Sequence, residues 1–95
     1  MQTTTKITKA HYSAVAGQIN RLLKKWHGQG VKPRISVLER GTDGTVLILN
    51  DDAMDLLQYD GQLENLLYTG EVFVVGDHDF YLEPFDSKMT FKLAE

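Results

Sequence analysis

The chain alternates twice between an amphipathic helical segment and a pair of short β-rich segments, and this alternation restricts the folds open to it. In the first helical segment, Thr8 to His27, apolar side chains recur at steps of three and four residues. Two β-rich segments follow on either side of a Gly-Thr-Asp-Gly turn at 41–44, and Asp-Gly in this position is typical of a hairpin. Because hairpins pair antiparallel, the pattern predicts an α+β domain.

The register of the first hairpin depends on the length of its turn. A four-residue loop at 41–44 places four β-branched residues on one face of the sheet: Ile35, Val37, Val46 and Ile48. A two-residue turn at Asp43 and Gly44 would pair Leu38 with Leu49 instead. We favour the four-residue loop. The segment from Thr45 to Leu49 is apolar on both faces, which predicts a central strand.

The second half of the chain repeats the order of helix and strands. Asn50 or Asp51 can cap the second helix, and Asp60-Gly61 can divide it into two short helices. Its predicted apolar stripe consists of Leu56, Tyr59, Leu63, Leu66 and Leu67. A hairpin then joins 71–75 to 80–83, with Pro84 closing it, and a last half-exposed strand covers 89–93.

These elements predict one domain over residues 1–95, in the order αββαβββ. We expect an antiparallel sheet of four to five strands with both helices on one face, preceded by a loose segment at 1–7. An exposed last strand could pair with its copy in a homodimer. The aromatic residues Tyr12, Trp26 and Tyr59 fall on helical stripes and are interpreted as core.

Charge is divided along the chain, although the formal net charge is only −3. Residues 1–50 contain eight Lys and Arg but two acidic residues, whereas residues 51–95 contain eleven Asp and Glu but two lysines. Such asymmetry points to a charged partner. Helix capping, turn chemistry and a solvated surface also account for acidic residues, so the division does not identify that partner.

The acidic half supports the main functional hypothesis, a small non-enzymatic protein that binds a basic surface on a protein partner. Such a protein could inhibit or regulate its partner, as a nucleic-acid mimic does when carboxylates take the positions of phosphates. The proposed surface combines helix two with the second hairpin: Asp51, Asp52, Asp55, Asp60, Glu64, Asp77, Asp79 and Glu83. It requires these carboxylates to share one side of the molecule.

The alternative hypothesis is a nucleic-acid-binding module that uses the basic first half. Its cations lie on helix one and the first hairpin: Arg21, Lys24, Lys25, Lys32, Arg34 and Arg40. Clustered cations can bind phosphates, but the negative net charge and the lack of a nucleic-acid-binding motif count against this function.

Other chemistry has little support in the sequence. Asp77, His78 and Asp79 could meet a divalent cation at the hairpin tip, but an extended backbone turns His78 away from the two carboxylates. Since the three histidines form no catalytic or zinc-binding motif, we expect no enzyme activity, no metal and no cofactor. Because the chain has no cysteine, we expect a cytoplasmic protein. No apolar run approaches the roughly 20 residues that span a bilayer, so we expect no association with a membrane.

Overall fold

The computed structural model describes residues 7–41, 44–59 and 61–95, and it confirms an antiparallel α+β fold. The three α-helices within these ranges are α1 (Lys9–Leu23), α2 (Asp51–Tyr59) and α3 (Gly61–Tyr68). A 3₁₀ segment, Lys24–Gln29, continues α1 directly. The five strands are β1 (Ile35–Arg40), β2 (Gly44–Leu49), β3 (Phe73–Val75), β4 (His78–Phe85) and β5 (Ser87–Ala94). They form one sheet in the order β1-β2-β5-β4-β3.

The predicted second helix is two helices, and Gly61 opens the second of them. Asn50 caps the first, because its Oδ1 accepts the backbone N–H of Ala53 at 2.9 Å. The same Oδ1 accepts the N–H of Arg34 at 3.0 Å, so one side chain ties the start of α2 to the chain entering β1. Asp60 lies outside the described residues.

The register predicted for the first hairpin is wrong, and so is the two-residue alternative. Ile35 pairs with Leu49 and Arg40 with Gly44, so three residues, 41–43, separate the two paired segments in the sequence. Ile35 and Val37 therefore share a face with Leu47 and Leu49 rather than with Val46 and Ile48. The helices cover this face, so burial of the two leucines outweighs the grouping of β-branched residues.

The sheet curls around α1, whose side chains contact both of its edge strands. The amide of Asn20 donates to the carbonyl of Ile35 at 3.0 Å and accepts its N–H at 2.9 Å, at the β1 edge. Gln18 donates to the carbonyl of Val74 in β3, at the opposite edge, at 2.8 Å. The core lies between α1, α2, α3 and this concave face, and includes Ile19, Leu57, Leu67, Phe80 and Phe91.

The tip of the β4–β5 hairpin folds over part of the convex face. Ser87 Oγ and Thr90 Oγ1 lie 2.9 Å apart although they are three positions apart in the strand, which shows a sharp bend at the start of β5. Arg40, on the convex face of β1, forms an ion pair with Asp86 at the tip. Val46 and Thr90 are buried here, outside the main core.

Several predictions for the ends of the chain need correction. Strand β5 lies between β2 and β4, so the last strand is not exposed for pairing in a dimer. Pro84 lies within β4, opposite Phe91, and does not end the strand. Of the segment predicted to be loose, residues 1–6 lie outside the described residues and Ile7 packs against the core.

Candidate partner-binding surface

The sheet separates the predicted acidic residues into two groups. Strands β2 and β4 run in the same direction, because each pairs antiparallel with β5. Helix α2 follows the last residue of β2, whereas the β3–β4 turn at Gly76 and Asp77 precedes the first residue of β4. We call these opposite ends of the sheet the helix end and the hairpin end. The carboxylates at the start of α2 and that of Asp77 therefore lie at opposite ends of the sheet.

The hairpin group does not form a cation site. Asp79 and Glu83 alternate with buried Phe80 and Leu82, so their side chains lie on the convex face. His78 points to the concave face, where its Nδ1 lies 3.4 Å from Glu95 Oε1 and its ring centroid lies 5.9 Å from that of His11. Within the described residues, no group of three or more acidic or histidine side chains could hold a metal ion.

Asp52, in the helix group, serves the fold. Its Oδ2 accepts the backbone N–H of Lys32 at 2.8 Å, which fixes the loop before β1. Asp51 and Asp55 are exposed, and neither has an ion pair or hydrogen bond to another side chain in the described part of the chain. Glu64 is exposed on α3 and faces a separate cavity described below.

Tyr59 is a surface residue that the sequence led us to place in the core. Asp51, Asp55 and Tyr59 follow one another at four-residue spacing, so they lie on one face of α2. The Tyr59 side chain is 85% exposed. Helix α2 buries Ala53 and Leu57, and Tyr59 lies on the side of the helix that faces away from these two residues. We call Asp51, Asp55 and Tyr59 the α2 ridge.

Five of the six predicted nucleic-acid-binding cations also lie at the helix end. They are exposed side chains at the end of α1, in the 3₁₀ segment and in the loop before β1: Arg21, Lys24, Lys25, Lys32 and Arg34. Arg40 is the exception, because it is paired with Asp86 on the convex face. The charges that the sequence separates are thus brought to the same end of the fold.

A small apolar groove at the helix end was not predicted. It has a volume of about 190 Å³ and is lined by residues of α1, the 3₁₀ segment and α3: Leu22, Leu23, Lys25, Trp26, Gln62, Leu63 and Leu66. Leu22 is 49% exposed beside it. The Lys25 ammonium lies 4.3 Å from the Trp26 ring centroid and donates to Gln62 Oε1 at 3.0 Å, at the rim.

A second, more open cavity of about 430 Å³ lies between α2, α3 and the start of β5. Its polar lining residues are Gln58, Glu64, Tyr68 and Lys88. The Tyr68 hydroxyl donates to the carbonyl of Lys88 at 3.1 Å. Burial and, second, the charge of Glu64 raise the pKa of Tyr68, so the phenol stays protonated and cannot act as a base near neutral pH.

Compared with protein-family models, curated proteins and solved structures, the chain has no significant match. None of the helices in the described ranges is long and apolar enough to cross a membrane.

Proposed function

We propose that this chain is a non-enzymatic interaction protein whose α2 ridge binds a basic surface on a protein partner. The observation that supports it is Tyr59, which is 85% exposed on the same helix face as two exposed carboxylates. Tyrosine is enriched at interfaces, where its ring fills a pocket on the partner. Asp51 and Asp55 would then meet lysine or arginine side chains around that pocket.

The chemistry of the ridge indicates the kind of partner. Carboxylates at a four-residue helical spacing can satisfy cations that otherwise bind a nucleic-acid backbone, so the ridge suits an inhibitor or regulator of a cytoplasmic nucleic-acid-binding protein. This proposal narrows the acidic surface to the helix end. Asp77, Asp79 and Glu83, at the other end or on the convex face, contribute little to it.

The experiment combines capture with site-directed photo-crosslinking. A photo-reactive phenylalanine analogue replaces Tyr59, and in a control protein it replaces Tyr81, which is half-exposed on the convex face. In extracts of the native cell, position 59 should crosslink one basic protein, and salt should weaken the capture steeply. Position 81 should not crosslink that protein.

Charge reversal provides the matched comparison. Asp51→Lys with Asp55→Lys should abolish binding of the identified partner, whereas Asp77→Lys with Asp79→Lys makes the same charge change at the hairpin end and should leave binding intact. The proposal is wrong if binding resists salt, or if both double variants lose it equally.

A further inference from the structure

The helix end of the molecule is complementary to itself. The α2 ridge offers two carboxylates and a protruding tyrosine ring. Close to it, α1 and the 3₁₀ segment offer exposed cations beside an apolar groove that Gln62, three residues after Tyr59, helps to line. A surface that carries both members of each complementary pair can contact its own copy twice around a two-fold axis.

We propose that two copies of this chain associate through their helix ends, with Tyr59 of each copy in the groove of the other. The groove has a volume of about 190 Å³, whereas small-molecule sites usually measure about 300–1,000 Å³. It is therefore the size of one or two side chains. Trp26 and Leu22 would contact the inserted ring, as an aromatic anchor is held at the centre of an interface.

The charges of the two surfaces are opposite in sign and similar in spacing. Asp51 and Asp55 are one helical turn apart, about 6 Å along α2. Arg21 and Lys24, exposed at the end of α1, are also separated by about one turn. With Tyr59 seated beside Trp26, the carboxylates of one copy face these cations of the other, and the two-fold axis repeats the contact.

A second copy is favoured over other occupants because it satisfies the ridge, the groove and the cations together. An acidic ligand would leave the ridge unused, and a basic ligand would leave the cations unmatched. Association of the purified chain does not rest on the proposed function. Since both contacts use the α2 ridge, self-association and partner binding would exclude each other.

The first measurement is the molar mass of the purified chain against concentration, by sedimentation equilibrium. We expect a reversible monomer–dimer equilibrium that weakens with salt. Tyr59→Ser should raise the dissociation constant at least about tenfold without affecting the fold, since Tyr59 is on the surface. Asp77→Lys with Asp79→Lys, at the hairpin end, should leave the equilibrium unchanged.

The second measurement tests the two-fold geometry with charge exchange. A chain with Asp51→Lys and Asp55→Lys, and a chain with Arg21→Glu and Lys24→Glu, should each be monomeric because like charges then face each other. Mixed together they should form a heterodimer, since both contacts are again between opposite charges. A wild-type chain that stays monomeric at all concentrations would overturn the proposal and assign the surface to another protein. A failure of the mixture to associate, with both chains folded, would exclude this geometry.

Discussion

Tyr12 joins α1 to the centre of the sheet by a buried hydrogen bond. Its hydroxyl accepts the backbone N–H of Leu93 at 3.1 Å. Tyr12→Phe leaves that N–H without a partner, so we expect the free energy of unfolding to fall by about 1–3 kcal/mol. Urea denaturation followed by circular dichroism measures it. Tyr81→Phe removes a hydroxyl from the half-exposed Tyr81 and should change stability little; an equal loss in both variants would contradict this role of Tyr12.

The same tyrosine makes stability depend on pH in the alkaline range. Burial raises the pKa of Tyr12 above its usual value near 10, the bond from Leu93 lowers it, and the charge of Glu83 raises it further. The folded state thus holds the phenol proton more tightly than the unfolded state. This contribution is complete below about pH 10 and is lost as the pH rises through the folded-state pKa.

The measurable consequence is a difference between two proteins. Between about pH 9 and pH 11, the wild-type chain should lose more unfolding free energy than Tyr12→Phe does. The raised pKa of Tyr68 affects both proteins alike, so the difference isolates Tyr12. Parallel pH profiles would show that the Tyr12 phenol titrates normally.

Asn50 holds the start of α2 in place and so determines where the ridge lies. Besides capping α2, it donates through Nδ2 to the carbonyl of Lys32 at 2.9 Å. Asn50→Ala removes the cap and the loop contacts, and should cost about 1–3 kcal/mol of unfolding free energy. Asn50→Asp keeps both accepting contacts and should cost less. Hydrogen exchange of the α2 amides should be faster in the alanine variant; unchanged exchange would contradict the capping role.

Local patterns predicted the elements, whereas contacts between distant parts of the chain decided how they face one another. Helix α1 and the β-rich segments follow from periodicity and turn residues, which act over a few residues. The register of β1 against β2 depends on which face of the sheet α1 covers. This contact joins distant parts of the chain, since Asn20 in α1 precedes Ile35 in β1 by fifteen residues. Tyr59 is exposed because α2 turns Ala53 and Leu57 to the core, and the spacing of apolar residues alone does not state which side of the helix is buried.

Folding reverses much of the charge separation that is visible along the chain. The loop between α1 and β1 lies at the end of the sheet where α2 begins. The cations of the first half are therefore close to the carboxylates of α2. The ion pair of Arg40 with Asp86 also joins the two halves directly. A division of charge along a sequence is therefore evidence about a surface only when the topology keeps the two parts separate.

This mixing of charge predicts how strongly the whole molecule binds nucleic acid. Because the α2 carboxylates lie among the exposed cations of the helix end, the wild-type chain should bind an oligonucleotide only weakly, even at about 50 mM salt. Asp51→Lys with Asp55→Lys makes this end strongly basic and should create measurable binding. Two added phosphate contacts should steepen the salt dependence of binding. They alone should lower the affinity about tenfold when the salt concentration rises from about 50 to about 200 mM.

Fluorescence anisotropy of a labelled oligonucleotide makes this measurement, with Asp77→Lys and Asp79→Lys as the control of equal net charge. The control should gain much less affinity, because Asp77 and Asp79 lie at the end of the sheet opposite the exposed cations that begin at Arg21. An equal gain in both variants would mean that net charge alone governs binding. Tight binding by the wild-type chain would instead support a nucleic-acid-binding module that uses Arg21, Lys24 and Lys25, because phosphate contacts would then outweigh repulsion from the neighbouring carboxylates.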